Sequence, residues 1–387
     1  MPSDTKVTIY YGPSVWFEAQ LGRQQRESLL EIAYERDEAN RRHVHVVEGQ
    51  DPPAAEAPPR PKRVAAESSD YASLGEHVIT NFAGLIRSIN PKHLLLHNPP
   101  AHVQQQLERS FDTDVKRYTY PAVTRETLIR FRDGFASHLV GQAAVRESLL
   151  AALYPLTTRR RTKPVVLMFY GPSGVGKTET AQFVNGLLGG TLLRKQFSMF
   201  HNEKFASYLF GGSHSEASFA RDLLDRESGV ILIDEFDKAN AVFHSAFYQL
   251  FDSGIFEDKN YTVQLGPSLI ICTSNYRSES EIREALGDAL YSRFDALIRF
   301  EPLSAPEIKQ VIDRLLADRL SKLEGDERDR LDIERLKSML YRLADNSGNV
   351  RKLGKTVDEV ISLLLVRAVL DELTPVAEQS PREEQAS

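Results

Sequence analysis

The stretch Val165-Val-Leu-Met-Phe-Tyr-Gly-Pro-Ser-Gly-Val-Gly-Lys-Thr178 decides the reading of this chain. Six apolar residues suit a buried strand, and they run directly into Gly171, Pro172, Ser173, Gly174, Val175, Gly176, Lys177 and Thr178, the order G-x-x-x-x-G-K-[ST]. Glycines let successive backbone N–H groups turn inward around a phosphate, and a helix starting near Lys177 adds its positive end. Lys177 is expected to reach the β- and γ-phosphates, and the Thr178 hydroxyl to ligate Mg²⁺. The pattern predicts binding of a nucleoside triphosphate together with Mg²⁺.

A second apolar run, Val230-Ile-Leu-Ile-Asp-Glu235, ends in two carboxylates. Asp234 is expected to hold Mg²⁺, and Glu235 to orient and deprotonate an attacking water. A third run, Leu269-Ile-Ile-Cys-Thr273, leads into Ser274-Asn275, and the Asn275 amide is placed to position that water. Strand and helix patterns alternate across residues 123–303, which argues for a doubly wound parallel sheet of the α/β class. Residues 304–373 read as a helical lid subdomain, and 374–387 as a polar tail without a fold. Ahead of them lies a small α/β region. Lys6–Tyr11 reads as a strand, Glu18–Arg42 as a helix and His43–Val47 as a strand, within a segment 1–50. The proline-rich stretch 51–70 reads as a linker or loop. Residues 71–122 continue the α/β pattern, with a helix over Tyr71–Ile89 and strands at Lys92–His97 and Val115–Tyr120.

Bulk properties narrow the function. The chain has 387 residues and a formal net charge of −6, so no global field draws it to nucleic acid or an anionic membrane. Its one cysteine, Cys272, leaves no disulfide framework and no Cys/His metal spacing. No stretch of eighteen apolar residues and no signal-peptide core are visible, and the expectation is a cytoplasmic protein with no membrane contact. The basic cluster Thr158-Arg-Arg-Arg-Thr-Lys163 reads as a solvated loop, and Phe197, Phe200 and Phe205 as core or subunit-contact aromatics.

Taken together, the motifs resemble an AAA+ ATPase, most closely the second ATPase module of the Clp unfoldase and disaggregase group. The resemblance rests on Leu139-Val-Gly-Gln142, Ile231-Leu-Ile-Asp-Glu-Phe-Asp-Lys-Ala239, Gln249-Leu-Phe-Asp-Ser-Gly254 and Ser292-Arg-Phe-Asp-Ala-Leu-Ile-Arg-Phe-Glu-Pro-Leu303. It implies that Val140 and Gly141 lie beside the nucleotide's adenine. It also implies that Arg293 is an arginine finger reaching the γ-phosphate of a neighbouring subunit, in a homo-oligomeric, hexameric ring. Arg351, in Asn349-Val-Arg-Lys-Leu353, would contact the phosphates of its own subunit's nucleotide. The partner implied is a protein client or effector remodelled by ATP turnover. One segment departs from the Clp pattern. Tyr208-Leu-Phe-Gly-Gly-Ser-His-Ser-Glu216 stands where that group carries an aromatic, glycine-flanked pore loop, and the loop is shorter here and lacks that motif. A nucleic-acid-associated AAA+ ATPase, such as a loader or a mobile-element or defence regulator, is the alternative function class.

Overall fold

The computed structural model describes residues 4–43, 59–158, 160–199, 203–344 and 349–373. Outside the described residues fall Val44–Val47 of the strand expected at His43–Val47, 51–58 of the proline-rich stretch, Arg159, Phe200 and the tail from 374.

Two five-stranded parallel sheets form the frame. The first contains β1 (Lys6–Tyr11), β2 (Glu27–Ser28), β3 (Arg63–Ala66), β4 (His93–His97) and β5 (Asp112–Arg117), in the order β2-β3-β4-β1-β5. Strand β3 corrects the expectation of a linker or loop over 51–70. It pairs along its whole length with β4, and Val64, Ala65 and Ala66 are buried. Its small alanines allow helices to pack closely against it. The expected helix over Glu18–Arg42 is two helices, Ser14–Leu21 and Leu29–His43, broken at Gly22 with β2 between them. Tyr71–Ile89 likewise divides into three short helices, Asp70–Ser73, Glu76–Thr80 and Phe82–Ile89.

The second sheet contains β6 (Val165–Tyr170), β7 (Leu193–Gln196), β8 (Val230–Asp234), the later strand β11 (Leu269–Thr273) and β12 (Ala296–Arg299). A short antiparallel hairpin, β9 (Ile255–Glu257) with β10 (Thr262–Gln264), lies apart from it. The order β12-β6-β11-β8-β7 inserts β11 between the phosphate-loop strand and the acidic strand. Both faces of this sheet are covered at its centre, which is why β6, β11 and β8 read as apolar runs. Val165, Leu167 and Phe169 join the cluster beneath the helices Arg125–His138, Ala143–Leu153 and Lys177–Leu188. Val166, Met168, Ile231, Ile233 and Cys272 face the opposite layer, rich in phenylalanine: Phe197, Phe219, Phe236, Phe247, Phe251 and Phe256. That layer belongs to one apolar cluster that continues into the core of the N-terminal sheet.

Polar contacts hold the same junction. The Ser14 N–H donates to Asp225 Oδ1 (2.8 Å), Ala101 N–H to the Asn260 carbonyl (2.8 Å), and the Arg221 guanidinium to the Ser68 carbonyl (3.2 Å). The buried Arg226 guanidinium stacks on Tyr120, 3.9 Å from the ring centroid. The lid consists of Ala305–Leu320, Gly325–Asp329, Ile333–Ala344 and Val350–Leu373 around a core of its own. Its first helix is fixed by a capping box in which the Ser304 and Glu307 side chains satisfy each other's backbone N–H groups.

Phe247 is fully buried and contacts the rings of Phe197, Phe219, Phe236, Phe251 and Phe256. Phe247→Ala should therefore lower unfolding free energy by about 3–5 kcal/mol in urea titrations. A loss below about 1 kcal/mol would show that this layer does not carry the core.

Candidate functional site

Because β6, β11 and β8 are parallel and adjacent, their carboxyl ends meet at one edge of the sheet. A cavity of about 680 Å³ opens there between the large subdomain and the lid. Ser173 to Glu179 line it, together with Leu139, Val140, Asp234, Glu235, Asn275 and Arg351.

The loop after β6 has the backbone that phosphate wrapping requires. Gly171 has φ +132°, and a Cβ there would stand 2.2 Å from the Phe300 carbonyl oxygen. Gly176 has φ +104°, and a Cβ would stand 2.7 Å from Leu139 Cδ2. L side chains rarely adopt such angles, so both positions need glycine. The helix Lys177–Leu188 starts directly after Gly176 without a side-chain cap, leaving its first N–H groups for an anion. Lys177 is buried, and its Nζ donates to the carbonyls of Gly171 (2.6 Å) and Pro172 (2.7 Å) and to Asn275 Oδ1 (3.3 Å). Burial lowers its pKa to about 8, against the attraction of Asp237 and Asp234.

The acidic strand delivers Asp234 next to Thr178, whose Oγ1 lies 3.5 and 3.4 Å from the two carboxylate oxygens. A hydroxyl and a carboxylate facing each other across such a gap are hard oxygen donors of the kind Mg²⁺ takes beside substrate phosphates. The Thr178 hydroxyl and Asp234 carboxylate fit an ion that brings nucleotide oxygens with it. Thr273, at the end of β11, donates to Asp234 Oδ1 (2.5 Å) and accepts from the Glu235 N–H (3.0 Å). Glu235 adopts the left-handed conformation at φ 56°. For a non-glycine residue this conformation costs free energy and is retained where the surroundings impose it.

Val140 and Gly141 lie at the lid junction. Leu139 packs with the large subdomain and Val140 against the lid core, so the chain touches both bodies at this point before the helix Ala143–Leu153 returns to the large subdomain. Gly141 is pressed against the Glu307 carboxylate. Asn349 packs on Gly174, and the Val350 N–H donates to the Gly174 carbonyl (3.0 Å), which ties the last lid helix to the phosphate loop. Arg351 follows on that helix and lines the cavity.

Arg293 is not brought to this cavity. Its Nε donates to Asp252 (2.8 Å), one Nη donates to the Ala289 carbonyl, and the guanidinium lies 4.8 Å from the Tyr248 ring centroid. Gly171 and Pro172 shape the loop from behind, holding Lys177 through their carbonyls.

Among the cavity residues that escaped the sequence reading are two on β7. Arg194, on β7, donates from Nε and Nη2 to Asp234 Oδ2 (3.0 and 2.5 Å). Gln196, two positions on, donates to Glu235 Oε2 (3.0 Å). Their i, i+2 spacing puts both on one face of the strand, and that spacing is the one signal the sequence carries for them.

The segment Tyr208–Glu216 is fastened down. Tyr208 is buried with its hydroxyl on Asp222 (2.5 Å), and the Lys259 N–H donates to the Phe210 carbonyl (2.9 Å). Asn260 Nδ2 donates to the Gly212 carbonyl (3.2 Å), and Glu216 accepts from Ser213 Oγ (3.1 Å). In the basic cluster, Arg161 is engaged by Asp295 Oδ2 (2.7 Å). No helix among the described residues is long and apolar enough to cross a membrane.

Known proteins resemble this chain in sequence and fold. A family model for the AAA domain (Cdc48 subfamily) matches residues 162–322. Chaperone protein ClpB of Clostridium perfringens is 30% identical over 229 residues, which span 50% of this chain and 26% of that protein. ClpB of Aquifex aeolicus is 26% identical over 287 residues, 63% of this chain and 28% of its own length. The chain spans about a quarter to a third of the length of these curated relatives. A closed-state reconstruction of Hsp104 with ATPγS and FITC casein shares the fold at TM-score 0.56 and 18% identity, covering 79% of this chain and 61% of that one. An ADP complex of Hsp104 from S. cerevisiae gives TM-score 0.52 at 21% identity, covering 64% of this chain and 49% of that one. Strand order, motif order and relatives agree that this chain contains an AAA+ ATPase module resembling those of the Clp family.

Proposed function

We propose that this chain is a Mg²⁺-dependent ATP hydrolase that works as a ring and uses ATP turnover to change the shape of a partner protein. The observation that carries the reading is the convergence of Lys177, Thr178, Asp234, Glu235 and Asn275 on one cavity while Arg293 stands outside it. Lys177 binds the β- and γ-phosphates, the Lys177–Leu188 helix adds its N-terminal N–H groups, and Arg351 closes on the phosphates from the lid. Thr178 and Asp234 would hold Mg²⁺, which would supply charge neutralisation at the phosphoryl group. Glu235 takes the proton of the attacking water, and Asn275 fixes that water's position. An Arg293 from a neighbouring subunit completes charge neutralisation, an effect worth ~10³ or more in rate. A hexamer is the assembly that the family resemblance suggests.

What the ring does to its partner follows from the fastened loop. Tyr208 is buried and Gly212 is tied to the β9–β10 turn, so Phe210, the exposed aromatic of this segment, sits on a backbone fastened at its own carbonyl and lacks the glycine-flanked setting of a gripping pore loop. The N-terminal domain, in turn, rests on Asp225, Arg221 and the same turn, one short step from the acidic strand. This favours ATP-driven switching of the N-terminal domain, and of an effector attached to it, over polypeptide threading.

Glu235→Gln should leave ATP binding intact and lower turnover at least about 100-fold. Undiminished turnover would remove the assigned base. Nucleotide affinity should fall as pH rises above about 8, because the free Lys177 ammonium loses its proton there while bound phosphates favour the charged form. The limit is tenfold per pH unit; a flat profile from pH 7 to 9.5 in calorimetric titrations would contradict this. A labelled unfolded polypeptide should show no ATP-dependent translocation, and processive movement would reinstate threading.

A further inference from the structure

Asp234 is nearly buried, and its charge is already compensated. Arg194 reaches it from β7 with two nitrogens on the single oxygen Oδ2, at 3.0 and 2.5 Å, while Thr273 engages Oδ1. The register of β7 on β8 sets Gln196 opposite Asp234 and Arg194 opposite Leu232, so Arg194 reaches forward to the acid diagonally across the pair. Lys195, between them, points to the other face and pairs with Asp222 at 2.6 Å. The Arg194 guanidinium also lines the nucleotide cavity with Lys177 and Thr178.

We propose that Arg194 is a built-in counter-cation that occupies the divalent ion's electrostatic place at Asp234 and yields it only when nucleotide phosphates arrive to accept the guanidinium. The proposal rests on the ATP-site reading and goes one step further, to the order in which ligands enter. A buried carboxylate left unpaired carries a large desolvation cost, and Arg194 removes it in the free protein. The same positive charge repels a divalent ion approaching Asp234. Mg²⁺ dehydrates reluctantly and prefers one or two carboxylates plus substrate phosphates, so it gains little from displacing Arg194 alone. With ATP in the cavity, the phosphate oxygens offer the guanidinium bidentate partners of equal quality, and Asp234 becomes free for the metal. Arg194 is therefore a positioning residue that couples metal to nucleotide.

The test measures Mn²⁺ binding to the full chain without nucleotide, by electron paramagnetic resonance of the free ion, and ATP binding in excess EDTA by calorimetry. Arg194→Met should raise nucleotide-free Mn²⁺ affinity at least about tenfold, since a full charge at contact distance is removed. Arg194→Lys, which keeps the charge, should stay within about threefold of the parent on the same grounds. Arg194→Met should also weaken ATP binding in EDTA at least about fivefold, through loss of a charge-assisted contact. Arg194→Gln carries the same expectations should the methionine variant not fold. A merely structural ion pair would lower the melting temperature and leave Mn²⁺ affinity where it was. Unchanged or lower Mn²⁺ affinity in a folded neutral variant overturns the proposal, as does unchanged ATP affinity in EDTA. Failure of the ATP-site reading looks different, because the parent chain itself would then bind no Mg·ATP.

Discussion

The hydrogen-bond ladder that seats β11 between β6 and β8 is the constraint on which the rest of this molecule depends. Parallel pairing on both sides of β11 brings three carboxyl ends to one edge. A phosphate loop, an amide and two carboxylates then share a cavity although they come from distant parts of the chain. The register also sets Thr273 against Asp234 and the Glu235 backbone, which locks the acidic pair in orientation. Packing enforces the ladder, since alternate residues of each strand sink into two separate cores and a one-residue slip would reverse every one of them.

The cavity also depends on a second body. Leu139 and Val140 are neighbours in sequence, yet they belong to the cores of different subdomains. The lid returns at Asn349 to bond the phosphate loop itself. A ligand bound between them would touch both bodies. On the other side, Asp225 and Arg226 lie at the end of the helix that feeds β8, and both are engaged by the N-terminal domain or its connection. The proposed coupling of nucleotide state to the N-terminal domain uses this short mechanical path.

Much of this arrangement was legible in sequence because buried parallel strands announce themselves as apolar runs ending in polar residues. β6, β8 and β11 were readable for that reason, and the residues at their ends followed. Strand β3 was not, because Arg63-Val-Ala-Ala66 lacks bulk and adjoins a proline-rich stretch. The helix expected from Glu18 breaks at Gly22, whose φ of +63° ends it in spite of the charged pattern continuing. Arg194 and Gln196 lie on a short strand with no apolar alternation, and the acid Arg194 holds is 40 residues away. Such a pairing exists only once β7 and β8 are in register. Arg293 marks another boundary of sequence reading: the resemblance supplied its proposed role, whereas the fold supplies a parked position on Asp252 and Tyr248.

In the proposed ring, the cavity lacks one cation, which Arg293 of a neighbouring subunit would deliver. Mixing Lys177→Ala chains with Arg293→Ala chains tests it directly, because one lacks the phosphate-binding amine and the other the proposed finger. Each should be inactive alone, and the mixture should recover ATP hydrolysis wherever an intact cavity meets an intact Arg293. No recovery in mixed assemblies shown to contain both chains, or full activity of Arg293→Ala by itself, would contradict the account.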